Sequence, residues 1–155
     1  MKPAVLLAAV LSLGLATGAA AQQEPSANMK IVAEKIRADK KLLVAANMDL
    51  TEAEAAKFWP MYDAFQVELG KLAKRTATLI QDYAGHYDNM TDPVADKLLT
   101  EMIAIDKDRA DLMVAYRPKF AATVTAAKVA RYYQIENKIR AIIDYQLADA
   151  IPLVP

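Results

Sequence analysis

Beyond residue 21 the apolar positions recur every three or four residues in four separate runs, the period of an α-helix. Met29, Val32, Ile36, Leu43 and Ala46 make the first run, interrupted by Asp39 and Lys40; it predicts a helix over 29–47, ended by Asn47, Met48 and Asp49. Phe58, Tyr62, Phe65, Leu69, Leu72, Leu79, Ile80, Tyr83 and Tyr87 hold the spacing for about eight turns and predict a long second helix. Pro60 falls inside this run, where a missing N–H and a crowded ring predict a kink. Gly85 and the polar cluster Asp88 to Asp92 mark its end. A third helix starts at Thr91 or Asp92 with Pro93 in its first turn. Val94, Leu98, Met102, Ile105, Leu112 and Tyr116 form its stripe, widened by Leu99, Ile103 and Met113, up to a break at Arg117-Pro118. In the fourth, Val129, Tyr132, Ile135, Ile139, Ile142, Ile143 and Leu147 are expected to face inward.

The starts of the second and fourth helices carry related signals. Leu50-Thr51-Glu52-Ala53-Glu54 is a capping box: the Thr hydroxyl accepts from an early backbone N–H, and the Glu reaches back to the cap's own N–H. A weaker copy returns at Val124-Thr125-Ala126-Ala127-Lys128. Sliding Leu50 onto Val124 also lays Ala56 on Ala130, Lys57 on Arg131, Phe58-Trp59 on Tyr132-Tyr133 and Phe65 on Ile139. The chain therefore reads as all-α, four helices in two long antiparallel hairpins, the second helix kinked near Pro60. Long thin hairpins bury their stripes poorly alone, so a homodimer is expected.

Composition adds an address. Lys2, the apolar run Ala4 to Leu15 and the Ala19-Ala20-Ala21 site read as a secretory signal peptide over 1–21, cleaved near Ala21. A polar leader, 22–28, then precedes a single helical domain over 29–155. The expected location is the bacterial periplasm, with no stable membrane span once the signal is removed. With no cysteine there is neither disulfide nor thiol chemistry. The 19 basic and 19 acidic side chains balance, and only Lys2 lies in the signal, so nothing favours nucleic acid.

Chemistry is sparse. His86 is the single histidine, and with Asp88 and Asp92 it is poor material for a zinc site, which takes about four converging ligands. A calcium loop over Asp88 to Asp92 fails because Pro93 stands where the turn glycine belongs and Leu99 where the last carboxylate belongs. No glycine-rich phosphate loop and no nucleophile–base set can be assembled. The protein reads as a non-enzyme with no cofactor and no metal site. Arg109, on the apolar stripe, reads as a snorkelling side chain paired with Asp106 or Asp108, or as an anion or partner contact. Glu136 and Arg140 read as an i,i+4 pair. The aromatics Phe58, Trp59, Tyr62, Tyr132 and Tyr133, with Met61, span more than one helical face. They read either as core or as a surface for another polypeptide. The apolar tail Ile151 to Val154 is a possible latch.

An exported, cysteine-free, all-α chain with two such helix starts resembles the Spy/CpxP-like periplasmic family, whose motif is L-T-x-x-Q. The residues carrying it are Leu50, Thr51 and Glu54 and, less completely, Val124, Thr125 and Lys128. The resemblance implies hooked helical hairpins in a thin curved dimer. It also implies an ATP-independent chaperone-like or envelope-stress protein that binds non-native polypeptides. A regulatory module docking one specific envelope partner is the alternative, and a metal-responsive protein a third. Glu54 in place of Gln keeps the box chemistry. Lys128 cannot accept a bond, which degrades the second box.

Overall fold

The computed structural model describes residues 27–155, with side chains from residue 38 onward. The expected signal peptide and most of the expected leader fall outside the described residues, as do the side chains of Met29, Val32 and Ile36. The chain divides between Ala38 and Asp39 into two units, and the packing below belongs to the second. Four α-helices make up the described residues: α1 (Ala27–Met48), α2 (Glu52–His86), α3 (Asp92–Ala121) and α4 (Ala126–Ala150). A short 3-10 turn, Tyr87–Asn89, joins α2 to α3, and no strand occurs among the described residues. The architecture is all-α.

The termini follow the local chemistry. α1 stops where Asp49 turns into the left-handed region at φ 47°, which an aspartate tolerates better than most residues. Thr51 is extended and caps α2 with both halves of the box made: its Oγ1 accepts from the Glu54 N–H, and Glu54 Oε2 accepts from the Thr51 N–H at 2.9 Å. α2 then runs helical through Pro60. Thr91 precedes α3 but its side chain makes no capping bond; Pro93 occupies the first turn. The expected break at Arg117-Pro118 comes late, because α3 continues helical past Pro118 to Ala121. The freed carbonyls of that last turn are then used, Pro118 and Phe120 accepting from Ala122, Thr123 and Val124.

Paired contacts fix the relative directions within the second unit. Phe58 meets Phe120 at 5.5 Å between ring centroids, Phe65 meets Tyr116 at 5.0 Å and Arg75 bonds Glu101, so α2 and α3 are antiparallel. Glu54 bonds Lys128, Phe58 meets Tyr132 and Gln66 bonds Glu136, so α2 and α4 run in the same direction. Tyr133 bonds the Met113 carbonyl and Arg140 bonds Asp106, which makes α3 and α4 antiparallel. The last ten residues of α1 cross back over α2, Lys41 on Asp63 and Lys40 on Gln66.

The core is concentrated at one end of these helices. Val44, Met48, Phe58, Tyr62, Phe65, Phe120, Val124, Val129 and Tyr132 are buried together. Several inward assignments made from periodicity are corrected here. In α1 the buried face is Val44 and Met48, one residue past Leu43 and two past Ala46, which are exposed. Leu99, Met102 and Ile103 on α3 and Ile142 and Ile143 on α4 are exposed as well. The stripes are continuous in sequence, but the rings that cover them lie between residues 58 and 65 and near 116, 120 and 132.

Candidate functional site

The two related helix starts meet in space. Lys128 Nζ donates to Glu54 Oε2 at 2.6 Å and to the Asp49 carbonyl at 2.8 Å. The second cap keeps one half of its box, the Lys128 N–H donating to Thr125 Oγ1 at 3.4 Å. Lys128 leaves the other half unmade and ties its own helix start to the intact one. Glu54 thus accepts from the Thr51 N–H and from Lys128 with the same oxygen. Its carboxyl is held below the usual carboxylate range, first by the Lys128 bond and then by the Thr51 N–H. Arg131 adds a bond to the Asn47 carbonyl, so α4 holds two carbonyls in and beyond the last turn of α1. Leu50 is half-buried against the core, and Val124 is buried within it.

One turn further along, the residues proposed from sequence as a polypeptide surface separate into two groups. Phe58, Tyr62 and Tyr132 are buried, so these three rings are core and offer no surface to another chain. Converging helices bring each against the others: Tyr132 stands edge-on to Phe58 at 5.2 Å and packs on Phe120 at 4.8 Å. Trp59, Met61 and Tyr133 are half-buried and lean on this cluster. Trp59 sits edge-on to Phe58 and Tyr62, with the Lys41 ammonium 5.2 Å from its ring centroid. The Tyr133 hydroxyl donates to the Met113 carbonyl.

A polar network that sequence reasoning missed lies beside these rings. The Tyr132 hydroxyl donates to Glu136 Oε1 at 2.9 Å and accepts from Gln66 Nε2 at 3.1 Å. Gln66 Nε2 also donates to Glu136 Oε1, and Lys40 Nζ reaches Gln66 Oε1 and Glu136 Oε2. Burial first, then the Glu136 charge, push the Tyr132 phenol far above its ordinary value. Three helices thereby share one carboxylate. The i,i+4 pairing of Glu136 with Arg140 does not form, since Arg140 bonds Asp106 and Asp144 instead. The only sequence signal was negative: Gln66 and Glu136 stand beside Phe65 and Ile135, where an exposed face gives way to the core.

Arg109 also departs from expectation. Asp106 is taken by Arg140 and Asp108 by Arg75, and Arg109 Nε is buried without a hydrogen-bond partner. Burial lowers its affinity for the proton, and the neighbouring Arg140 lowers it further. His86 ends α2 with Nδ1 2.7 Å from the Asp82 carbonyl, an ordinary last-turn contact. Among the described residues no three His, Cys, Asp or Glu side chains converge as metal ligands. No described helix is long and apolar enough to cross a membrane. The tail is held at one point, where the Tyr83 hydroxyl donates to the Pro152 carbonyl at 2.8 Å.

The chain matches no family model, no curated protein and no solved structure.

Proposed function

We propose that this is an exported, ATP-independent protein that holds non-native polypeptides in the periplasm, of the chaperone-like kind the Spy/CpxP resemblance implies. One observation supports this most: a row of exposed apolar side chains on α3 and α4. Leu99, Met102 and Ile103 stand out on α3, and Ile142, Ile143 and Tyr145 on α4, Tyr145 at 74% exposure. The α3–α4 register set by Tyr133 on Met113 and Arg140 on Asp106 places Ile142 and Ile143 abreast of Met102 and Ile103. Exposed apolar side chains grouped in this way mark interaction surfaces. The binding surface is accordingly assigned to this row, with Trp59, Met61 and Tyr133 on the edge of the core as secondary contributors.

The same reading takes residues 1–21 as a cleaved signal, the helices as two long hairpins with a bend at Pro60, and the assembly as a homodimer. Purified mature protein should suppress aggregation of a chemically unfolded client at near-equimolar ratio. Replacing Met102, Ile103, Ile142 and Ile143 by Ser should abolish most of that protection while leaving the helical circular dichroism intact. No protection by the wild type at several-fold excess rejects the reading. A module docking one envelope partner is the second reading, favoured by the tail anchored on Tyr83. In-cell crosslinking would then return one dominant partner instead of many.

A further inference from the structure

We infer that the α2–α3 turn, with the two tyrosines that lead into it, docks an extended proline-containing segment of another polypeptide, one that carries a cation after its second proline. The chain's own tail sits there in cis. The site lies apart from the exposed apolar row, so the inference goes beyond the client-holding reading. Tyr83, in the last turn of α2, and Tyr87, just past it, stand edge to face with ring centroids 5.8 Å apart. The Tyr83 hydroxyl donates to the Pro152 carbonyl at 2.8 Å. Val154 and Pro155 face Tyr87, Asp88, Met90 and Asp92 across an open cleft of about 240 Å³.

Ile151 leaves α4 extended, at φ −95° and ψ 117°. Pro152 and Pro155 then hold φ at about −65° and keep the chain from resuming a helix. From 152 to 154 an extended proline-type chain advances about 6 Å, and α2 advances about 6 Å from 83 to 87, so the tail keeps step with the two rings. Prolines three apart lie on one edge of such a chain, and its carbonyls, free of internal bonds, can accept. Aromatic-lined grooves hold proline-rich segments in this way; here the Tyr83 hydroxyl adds a donor.

The tail is a replaceable and incomplete occupant. One neutral hydrogen bond favours it by about 1 kcal/mol, roughly fivefold, and Leu153 and Val154 remain 89% and 55% exposed. The cleft is lined by Asp88 and Asp92 and by no cation, and neither carboxylate makes an ion pair among the described residues. Ile-Pro-Leu-Val-Pro brings them no charge. A segment with Arg or Lys directly after the second proline does.

The test is fluorescence anisotropy of the full mature protein with dye-labelled Ala-Ile-Pro-Leu-Val-Pro-Arg. The comparison peptides replace both prolines by alanine or the arginine by glutamate. A Pro152→Gly/Pro155→Gly variant loosens the cis tail; both prolines are exposed and lie beyond the last helix, so the fold should hold, checked by circular dichroism. This variant should bind the arginine peptide about fivefold tighter than the wild type, the equivalent of the cis bond. The alanine peptide should bind at least about tenfold more weakly. The glutamate peptide, or Asp88→Asn/Asp92→Asn in the protein, should cost at least about threefold, as two exposed charge contacts imply. Absence of binding to the glycine variant at about 1 mM peptide overturns the assignment. Equal affinity for the proline and alanine peptides would move binding to the exposed apolar row and overturn it too. A wild-type dimer that becomes a monomer in the glycine variant would give the tail to a second copy instead. Client protection is scored separately on the same variants, so either reading can fail alone.

Discussion

Tyr132→Phe isolates one hydroxyl in the core. Phe keeps the ring, hence the contacts with Phe58 at 5.2 Å and Phe120 at 4.8 Å, and removes only the oxygen. Lost are a bond donated to Glu136 at 2.9 Å and one accepted from Gln66 at 3.1 Å. Nothing else is orphaned: Glu136 keeps Gln66 on one oxygen and Lys40 on the other. A hydrogen bond to a charged group is worth about 1.5–3 kcal/mol net, and the surviving partners put the expected loss at the low end, about 1.5 kcal/mol. For a unit of this size that is roughly a 6 °C fall in Tm. Tyr132→Ala also deletes the ring and should cost at least about 3 kcal/mol. Urea unfolding followed by fluorescence of Trp59, the single tryptophan, reports on this cluster directly. A Tyr132→Phe variant within about 0.3 kcal/mol of wild type would refute the network's contribution. Equality with Tyr132→Ala would refute the claim that ring and hydroxyl act separately. The phenol gives an independent check. Its folded pKa lies above the ordinary 10.0, so its stability share is complete below pH 10 and is lost as the pH rises beyond it. The wild type should shed about 1.4 kcal/mol per pH unit there through this group, and Tyr132→Phe should lack that slope.

Four further outcomes follow from the helix ends and the unpaired arginine. Thr51→Ala and Thr125→Ala each remove a cap worth about 1 kcal/mol, and Thr51→Ala should cost more because its box is complete; urea midpoints decide. Asp49→Gly relieves the left-handed backbone at φ 47° and should stabilise by about 1 kcal/mol, whereas Asp49→Val should destabilise. Lys128→Met should raise the Glu54 pKa in an NMR titration. Since Glu54 is depressed in the folded state, the wild-type advantage over this variant is present above pH 4.5 and vanishes as the pH falls through the lower folded value. Arg109→Met removes a buried donor that has no acceptor, so stability should hold or rise by up to about 1 kcal/mol; a loss larger than that would mean the guanidinium has a partner in solution.

The helices were legible because their signals are local. The Thr51 box, Pro93 in a first turn and the 3–4 spacing act within one helix, and the observed boundaries of α2 and α4 agree with them. What covers each stripe is not local. Ile142 and Ile143 continue the apolar pattern of Val129 and Tyr132 along α4, yet the rings from α2 and α3 that bury Tyr132 do not extend that far. Leu43 and Val44 are neighbours of equal hydrophobicity, and only the direction from which α2 approaches selects Val44. The site was half legible for the same reason. Phe58, Tyr62 and Tyr132 stand at spacings that suit a core or a binding face equally, and convergence of three helices decides for the core. Arg75 takes Glu101 and Asp108 from α3, a pairing that depends on which acids fall opposite it, whereas Lys71 takes Glu68 of its own helix, a pair that local spacing allows.

The echo between Thr51 and Thr125 gains its meaning from position 128. In a complete second box, residue 128 would bond its own Thr125 N–H, and the two helix starts would each be closed upon themselves. Lysine cannot accept that bond, and its longer stem carries a donor to Glu54 and to the Asp49 carbonyl. A bond inside one helix is exchanged for one between two. Because α2 and α4 run in the same direction, equivalent positions of the two starts lie side by side, 54 beside 128 and 58 beside 132. Lys128 therefore leaves its own box open and adds a bond to the junction beside the aromatic core. A Lys128→Gln variant weighs these terms against each other. It should complete the second box, recover a few tenths of a kcal/mol at the Thr125 cap, and still lower the urea midpoint, since the link to Glu54 and Asp49 is lost. A midpoint equal to or above the wild type would show that the box, and not the junction, governs how these two helices begin.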